Sequence, residues 1–330
     1  MNARRRLLVV LGATSLAPWV VFAQAKKAPV VIGWLNFGSR ESFSHQLAAF
    51  KEGLAALGHR EGQQFVIEER WADHRRDRLQ SLAEEIAAKR PAVIVAVFSF
   101  AVSAAAKAAP TTPIVLVGGG NPIRLGFAKT LARPGGMITG VINVVEELRE
   151  KYLELLVDAV PKLRRVGVIL DSSRASGVLA GSMEAVRRSA VKRSIELRFE
   201  GVSSSEEIEP AVSRLVNWGA QGLVVFYGAL VTAEAARIAK LALDHRLPLA
   251  GPATLTDVES GALLGYGAEV SAMLRRAAYY VDRILKGTKP ADLPIERPMT
   301  FELVVNLKTA KALGLTMTPE IMVRATRVIQ

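Results

Sequence analysis

The sequence contains no cysteine. That excludes disulfides, thiolate metal centres, a cysteine nucleophile and a lipid anchor on an N-terminal cysteine. Histidine is scarce as well. His45, His59, His74 and His245 are the full set, and none has a partner at metal-ligand spacing such as H-E-x-x-H. Each is read as a surface or helix residue, and no metal is expected. There is no G-x-S-x-G elbow and no P-loop. Gly118-Gly119-Gly120 follows an apolar run but does not match G-x-G-x-x-G. Its expected use is to let backbone approach a ligand or a hinge. Glu68 and Glu69 stand side by side in an apolar run, without a recognisable acid/base arrangement. The chain is therefore not expected to be an enzyme, with no catalytic residues and no cofactor.

Aromatic residues make up only 6% of the chain, so the core must be built from Val, Leu, Ile and Ala. The formal net charge is +12, but no basic run is interleaved with aromatics. The charge is read as a generally basic surface, and no nucleic-acid partner is expected. Beyond the first 25 residues, no apolar stretch approaches the ~20 residues of a membrane-spanning helix. The protein is not expected to be membrane-embedded.

The N-terminus itself is distinctive. Arg4, Arg5 and Arg6 precede an uncharged stretch from Leu7 to Phe22, followed by Ala23-Gln24-Ala25. This is the pattern of a signal peptide over residues 1–25, with an A-x-A cleavage site. The stretch is short for a span and contains Pro18, which favours cleavage over an uncleaved anchor. The expected location is the periplasm.

The 330 residues suggest two domains. Short apolar runs alternate with amphipathic stretches. Strands are expected at Pro29–Leu35, Phe65–Arg70, Ala92–Val97 and Pro113–Val117. Between them, Phe43, Leu47, Phe50, Leu54 and Leu57 recur at helical steps, as do Leu79, Leu82, Ala83 and Ile86. A short helix is expected from Pro122. The rhythm restarts with a helix over Glu146–Val160 and strands at Arg165–Leu170, Ile195–Gly201, Gly222–Tyr227 and Leu247–Ala250. The fold class is thus α/β: two Rossmann-like lobes, each a parallel sheet with helices on both faces. The late elements, Gly261–Gly267, Met273–Leu285 and Phe301–Asn306, are expected to cross between lobes as a hinge of about three strands. The expected first lobe is 28–142 plus 263–288, and the second is 143–262 plus 296–330.

Ligands of open parallel sheets sit beyond the carboxyl ends of the strands. The loops there give the candidate ligand-binding residues. In the first lobe these are Phe37, Gly38, Ser39, Ser99, Phe100, Asn121 and Arg124. In the second they are Asp171, Ser172, Tyr227, Gly228 and Thr254. Hydroxyls and amides suit a small polar molecule, rings suit an apolar wall, and Arg40, Arg124 and Arg174 suit an anion. Phe98 and Phe226 belong to strands and are expected to face the core.

These features together resemble the bacterial ABC-transporter substrate-binding proteins related to tryptophan- and phenylalanine-binding proteins. The resemblance runs from about Val31 to Ala325. It is carried by FKEGLAALGHREGQQFVIEERWA (50–72), LARPGGMITGV (131–141) and YLELLVDAVPKLRRVGVIL (152–170). Further along it is carried by AYYVDRILKGTKPADLPIERP (278–298) and FELVVNLKTAKALGLTM (301–317). It implies a type I periplasmic-binding-protein architecture and a monomer that closes on a small-molecule ligand. The partners implied are the transmembrane subunits of an ABC permease. Relatives that bind aromatic amino acids carry Thr-Pro, Asp-Pro and an acidic residue where this chain has Ser99-Phe100, Asn121-Pro122 and Tyr227-Gly228-Ala229. Losing two acids while gaining Arg124 favours an organic anion over a zwitterionic amino acid. A sensory protein reporting to a membrane receptor would bind its ligand in the same way, and only the partner would distinguish it. An enzyme on a two-domain α/β scaffold is the other alternative, distinguished by turnover of the bound ligand.

Overall fold

The computed structural model describes residues 28–143, 148–172, 177–226, 228–253 and 260–330. The leader over residues 1–25 lies outside the described residues.

The first sheet grows from runs such as VIVAV and IVLV, which are buried at every position. A strand covered on both faces must be apolar throughout, so continuous runs rather than alternation mark these elements. In chain order the first lobe comprises β1 (Val30–Asn36), α1 (Arg40–Ala56), β2 (Phe65–Trp71) and α2 (Leu79–Ala88). It continues with β3 (Val93–Val97), α3 (Ser99–Ala108), β4 (Ile114–Val117) and β5 (Ile138–Val141). The second lobe begins with α4 (Arg149–Ala159), β6 (Arg165–Asp171), α5 (Gly177–Lys192), β7 (Glu196–Val202) and α6 (Ile208–Trp218). β8 (Gly222–Val225), α7 (Ala229–Ala233), α8 (Ala235–Asp244), β9 (Leu249–Pro252) and β10 (Leu264–Ala268) follow. The chain returns to the first lobe for α9 (Val270–Leu285) and β11 (Ile295–Glu296). It ends in the second with β12 (Phe301–Asn306), α10 (Leu307–Ala312), α11 (Pro319–Arg324) and β13 (Arg327–Ile329).

The strand order is β11-β5-β4-β3-β1-β2 in one sheet and β13-β12-β10-β9-β8-β6-β7 in the other. Every pairing is parallel except β10 with β12. Each sheet carries an apolar core on both faces. Trp34, Phe50 and Val95 pack with α1 and α9 on one side of the first sheet, and Leu35, Ile86 and Ile94 pack on the other. The second sheet is sandwiched in the same way. The fold is the expected pair of α/β lobes.

Three local expectations are corrected. Residues from 263 onward are expected in the first lobe, but β10 pairs with β9 and β12, so Leu264–Ala268 belongs to the second sheet. Only the following helix, α9, returns to pack on α1. Conversely, Glu296 was assigned to the second lobe, yet β11 pairs with β5 of the first. No helix follows Pro122. The Asn121 side chain accepts from the Ile123 and Arg124 N–H groups, and the chain then turns at Gly126, where φ is +74°.

Candidate functional site

The three crossings fix where a site can lie. β5 and β11 are parallel neighbours and both leave the first sheet at their carboxyl ends. β10 leaves the second sheet at Ala268, its carboxyl end, and β12 enters opposite it at Phe301. The carboxyl edges of both sheets therefore border the lobe junction. The strands between are tied: the Glu269 N–H donates to the Thr300 carbonyl at 3.0 Å, and the Ile142 N–H donates to the Glu296 carbonyl at 2.9 Å. Arg276 of α9 donates to both oxygens of Glu296 at 2.8 and 2.6 Å, which holds that carboxyl below the usual carboxylate range. A groove of about 500 Å³ opens beside this clamp, bounded by Glu269, Met273, Arg276, Pro298 and Thr300. None of the expected ligand residues among the described ones lines it.

On the first-lobe edge, a tight turn follows β1. Buried Asn36 accepts from the Gly38 N–H at 2.8 Å and donates to Gln46 at 3.3 Å. A Cβ on Gly38 would stand 2.2 Å from the Phe43 ring, so any larger residue must displace that ring. Phe37 is buried, and the Ser39 carbonyl caps α1 by accepting from the Phe43 N–H. The Phe37 ring meets Phe98, Phe100 and His74 at centroid distances of 6.5, 5.7 and 5.5 Å. Phe43 joins the cluster through Phe98 and His74. Phe98, Phe100 and Phe43 remain partly exposed, so rings reach solvent at this edge.

After β3 the backbone is strained. Phe98 has φ +72°, a conformation costing a non-glycine residue ~1–3 kcal/mol. It sets Ser99 at the first position of α3, where the hydroxyl accepts from the Gly120 N–H at 3.0 Å. Arg124 turns back, so its guanidinium lies 3.9 Å from where a Cβ on Gly120 would stand. Asn121 spends its side-chain oxygen on the turn. The expected first-lobe residues thus converge.

On the second-lobe edge, Asp171 ends β6 and its carboxylate accepts from the Leu230 N–H at 3.1 Å. Gly228 packs against it so closely that a Cβ would stand 2.3 Å from the Asp171 Cβ. The Ser172 N–H donates to the Val202 carbonyl, which continues the β6–β7 ladder. Tyr227, Thr254 and Arg174 lie outside the described residues. Arg40, largely exposed, lies in an ion pair with Glu69 at 3.1 Å.

Several further groups at these edges carry no local sequence signal. Arg76 holds its guanidinium 3.7 Å from the centre of the Phe100 ring. Arg149 is buried in the first turn of α4, 5.2 Å from the ring of Phe226, which is wholly buried as expected. Phe43 and His74 join the ring cluster, although the helical spacing of Phe43 predicts a core position of α1. His59 is not a surface residue: its Nε2 lies 2.8 Å from buried Asp282. In sequence, Arg76 looks like one charge in a basic run, and Arg149 like the polar face of an amphipathic helix. No group of three or more His, Asp or Glu side chains among the described residues is arranged to hold a metal ion. No helix among them is long and apolar enough to cross a membrane.

The sequence pattern of the ABC transporter substrate-binding protein family matches residues 31–329. The chain belongs to that family. Among relatives of this substrate-binding protein is a tyrosine-binding protein of Clostridioides difficile (strain R20291), 26% identical over 86% of this chain and 81% of the relative. An ABC domain from Streptococcus pneumoniae, solved in complex with L-Trp, shares the fold with a TM-score of 0.78 at 23% identity. That match covers 92% of this chain and 100% of the other. A ligand-free, open substrate-binding protein with adhesive properties from Clostridium difficile gives a TM-score of 0.70 at 24% identity, over 91% of this chain and 99% of that one.

Proposed function

We propose that the substrate-binding protein is the periplasmic receptor of an ABC importer, exported by its leader and acting as a monomer. It captures a small organic solute between its lobes and delivers it to the transmembrane subunits of a permease. The observation that carries this reading is the meeting of the two carboxyl sheet edges at a three-segment hinge. Partly exposed rings and the Ser99–Gly120–Arg124 cluster stand on one edge, and Asp171 with Gly228 on the other. A ligand touching both edges stabilises the closed form, and only such differential contacts shift the population between open and closed. The tyrosine-binding relative and the structure solved with L-Trp support small-molecule capture by this architecture.

The test is native mass spectrometry of protein purified from the periplasm, followed by a thermal-shift screen of amino acids, organic acids and sugars. A specific ligand at a hundredfold excess over its Kd stabilises the native state by about 2.7 kcal/mol. Loss of uptake of that ligand on gene deletion then assigns transport. Stabilisation without any loss of uptake assigns the sensory role, and conversion of the ligand into product assigns an enzyme. A screen in which no class stabilises the protein contradicts the receptor reading.

A further inference from the structure

We infer that the far pole of the second lobe docks on an anionic phospholipid surface. The carboxyl edges of the sheets face the lobe junction, so the amino ends of the parallel strands β6, β7 and β9 stand at the opposite end of the second lobe. β12 runs against β10, so its carboxyl end, Asn306, reaches the same pole. Lys192 precedes β7, Lys162 precedes β6, Arg246 precedes β9, and Lys308 and Lys311 follow β12 on α10. All five residues are exposed, and none is ion-paired among the described residues. The cations are spread along the end of the sheet, from its β7 edge to β12.

The acids of this pole do not offset them. Asp158 is shared between Arg193 and Arg324 at 2.9 and 3.1 Å. Glu196 pairs with Arg165 at 3.3 Å, and Asp244 with Lys240 at 2.6 Å. Glu320 is exposed in the first turn of α11. Asp257 and Glu259, ahead of β10, lie outside the described residues, and both together with Glu320 still leave an excess of cations. Apolar side chains stand beside this charge. Val191, next to Lys192, is 78% exposed, and Val323, next to Arg324, is 87% exposed. Asp158 joins the two segments that carry them, since Arg193 and Arg324 both reach it. Exposed aliphatic side chains among unpaired cations match a lipid surface, where the cations meet headgroup phosphates and the valines enter the acyl boundary. A soluble polyanion would use the charges alone. The pole is opposite the cleft edges, so docking leaves the cleft open to solvent. On the receptor reading above, it holds the protein at the membrane that carries the permease.

The test is flotation of the mature protein with vesicles that contain phosphatidylglycerol, against vesicles of phosphatidylcholine alone. Binding is expected on the anionic vesicles at low salt. It is expected to vanish near 1 M salt, where the screening length falls to about 3 Å. Lys162→Gln, Lys192→Gln, Lys308→Gln and Lys311→Gln together are expected to weaken that binding about tenfold or more without lowering Tm, because all four residues are exposed. Lys89→Gln, Lys107→Gln, Lys129→Gln and Lys289→Gln remove the same charge from exposed first-lobe positions and are expected to weaken it less than about threefold. Val191→Ser with Val323→Ser, which keeps the charge, is expected to weaken it about threefold or more. No binding to the anionic vesicles, equal binding to the net-neutral ones, or equal losses in the two lysine sets overturns the inference. So does unaltered affinity in the valine pair, or competition by soluble polyphosphate at the same charge concentration, either of which assigns the pole to a free polyanion.

Discussion

Replacing Asp282 with Asn tests whether α9 is anchored to the first lobe by charge as well as by packing. α9 follows the second crossing, so its anchorage decides how firmly the hinge is held. The helix lies close against α1: a Cβ on Gly53 would stand 2.8 Å from the Cβ of Ala278. At the far end of this contact, the Asp282 carboxylate is 5% exposed and meets His59 at 2.8 Å and Lys286 at 2.8 Å. The Lys286 side chain is 61% exposed, so water screens that pair to about 0.5 kcal/mol. The hydrogen bond to His59, whose side chain is 16% exposed, is worth about 1.5–3 kcal/mol. The expected loss is about 2 kcal/mol, a fall in Tm of roughly 4–8 °C at 2–4 °C per kcal/mol. The pH dependence gives a second readout. Burial pushes the Asp282 carboxyl up, but hydrogen bonds to Lys286 and His59 outweigh it and leave the group below the usual carboxylate range. Its stabilisation is complete above the unfolded value near 3.9 and is lost as the pH falls through the lower folded value. The gap between wild type and variant, measured by urea unfolding, is expected to shrink as the pH falls below about 4. Equal stability at neutral pH, or a gap that does not shrink below about pH 4, refutes the reasoning.

Other perturbations are as direct. Gly140→Ala places a Cβ 2.2 Å from the Leu116 carbonyl oxygen at φ +133°, and is expected to cost about 2–4 kcal/mol in urea unfolding. Gly228→Ala drives a Cβ into Asp171 at the second-lobe edge. It is expected to weaken the stabilising solute at least tenfold in titration calorimetry. Glu296→Gln breaks the two-pronged contact with Arg276, whose side chains are 42% and 31% exposed. Its expected cost in thermal unfolding is about 1 kcal/mol, because solvent screens the pair.

Much of this architecture could be read from the residues. β3 and β4 are unbroken apolar runs, and burial on both faces leaves no other pattern. β5 escaped because Thr139 and Gly140 interrupt the run. The buried Thr139 hydroxyl donates to the Leu293 carbonyl 154 residues away, a partner invisible to local pattern. The lobe assignment of β10 failed for a related reason. Apolar content marks a strand, but which sheet edge receives it depends on the return path of the chain. The first-lobe candidates Phe37, Ser99 and Arg124 follow strands at their carboxyl ends, a position that local pattern makes legible whatever they bind. The contact of Arg76 with Phe100 leaves no mark in its sequence neighbours. Phe43 was missed because its helical spacing reads as core, although it sits one turn into α1 where the helix meets the cleft edge.

The central claim is that cargo is held between the lobes, and small-angle X-ray scattering tests it most directly. The mature protein is measured alone and with the solute that stabilises it best. A receptor that closes on its cargo gives a smaller radius of gyration, saturating at one equivalent and requiring proportionately more solute in the Gly228→Ala protein. A radius that does not change at saturating solute contradicts closure around the interlobe site.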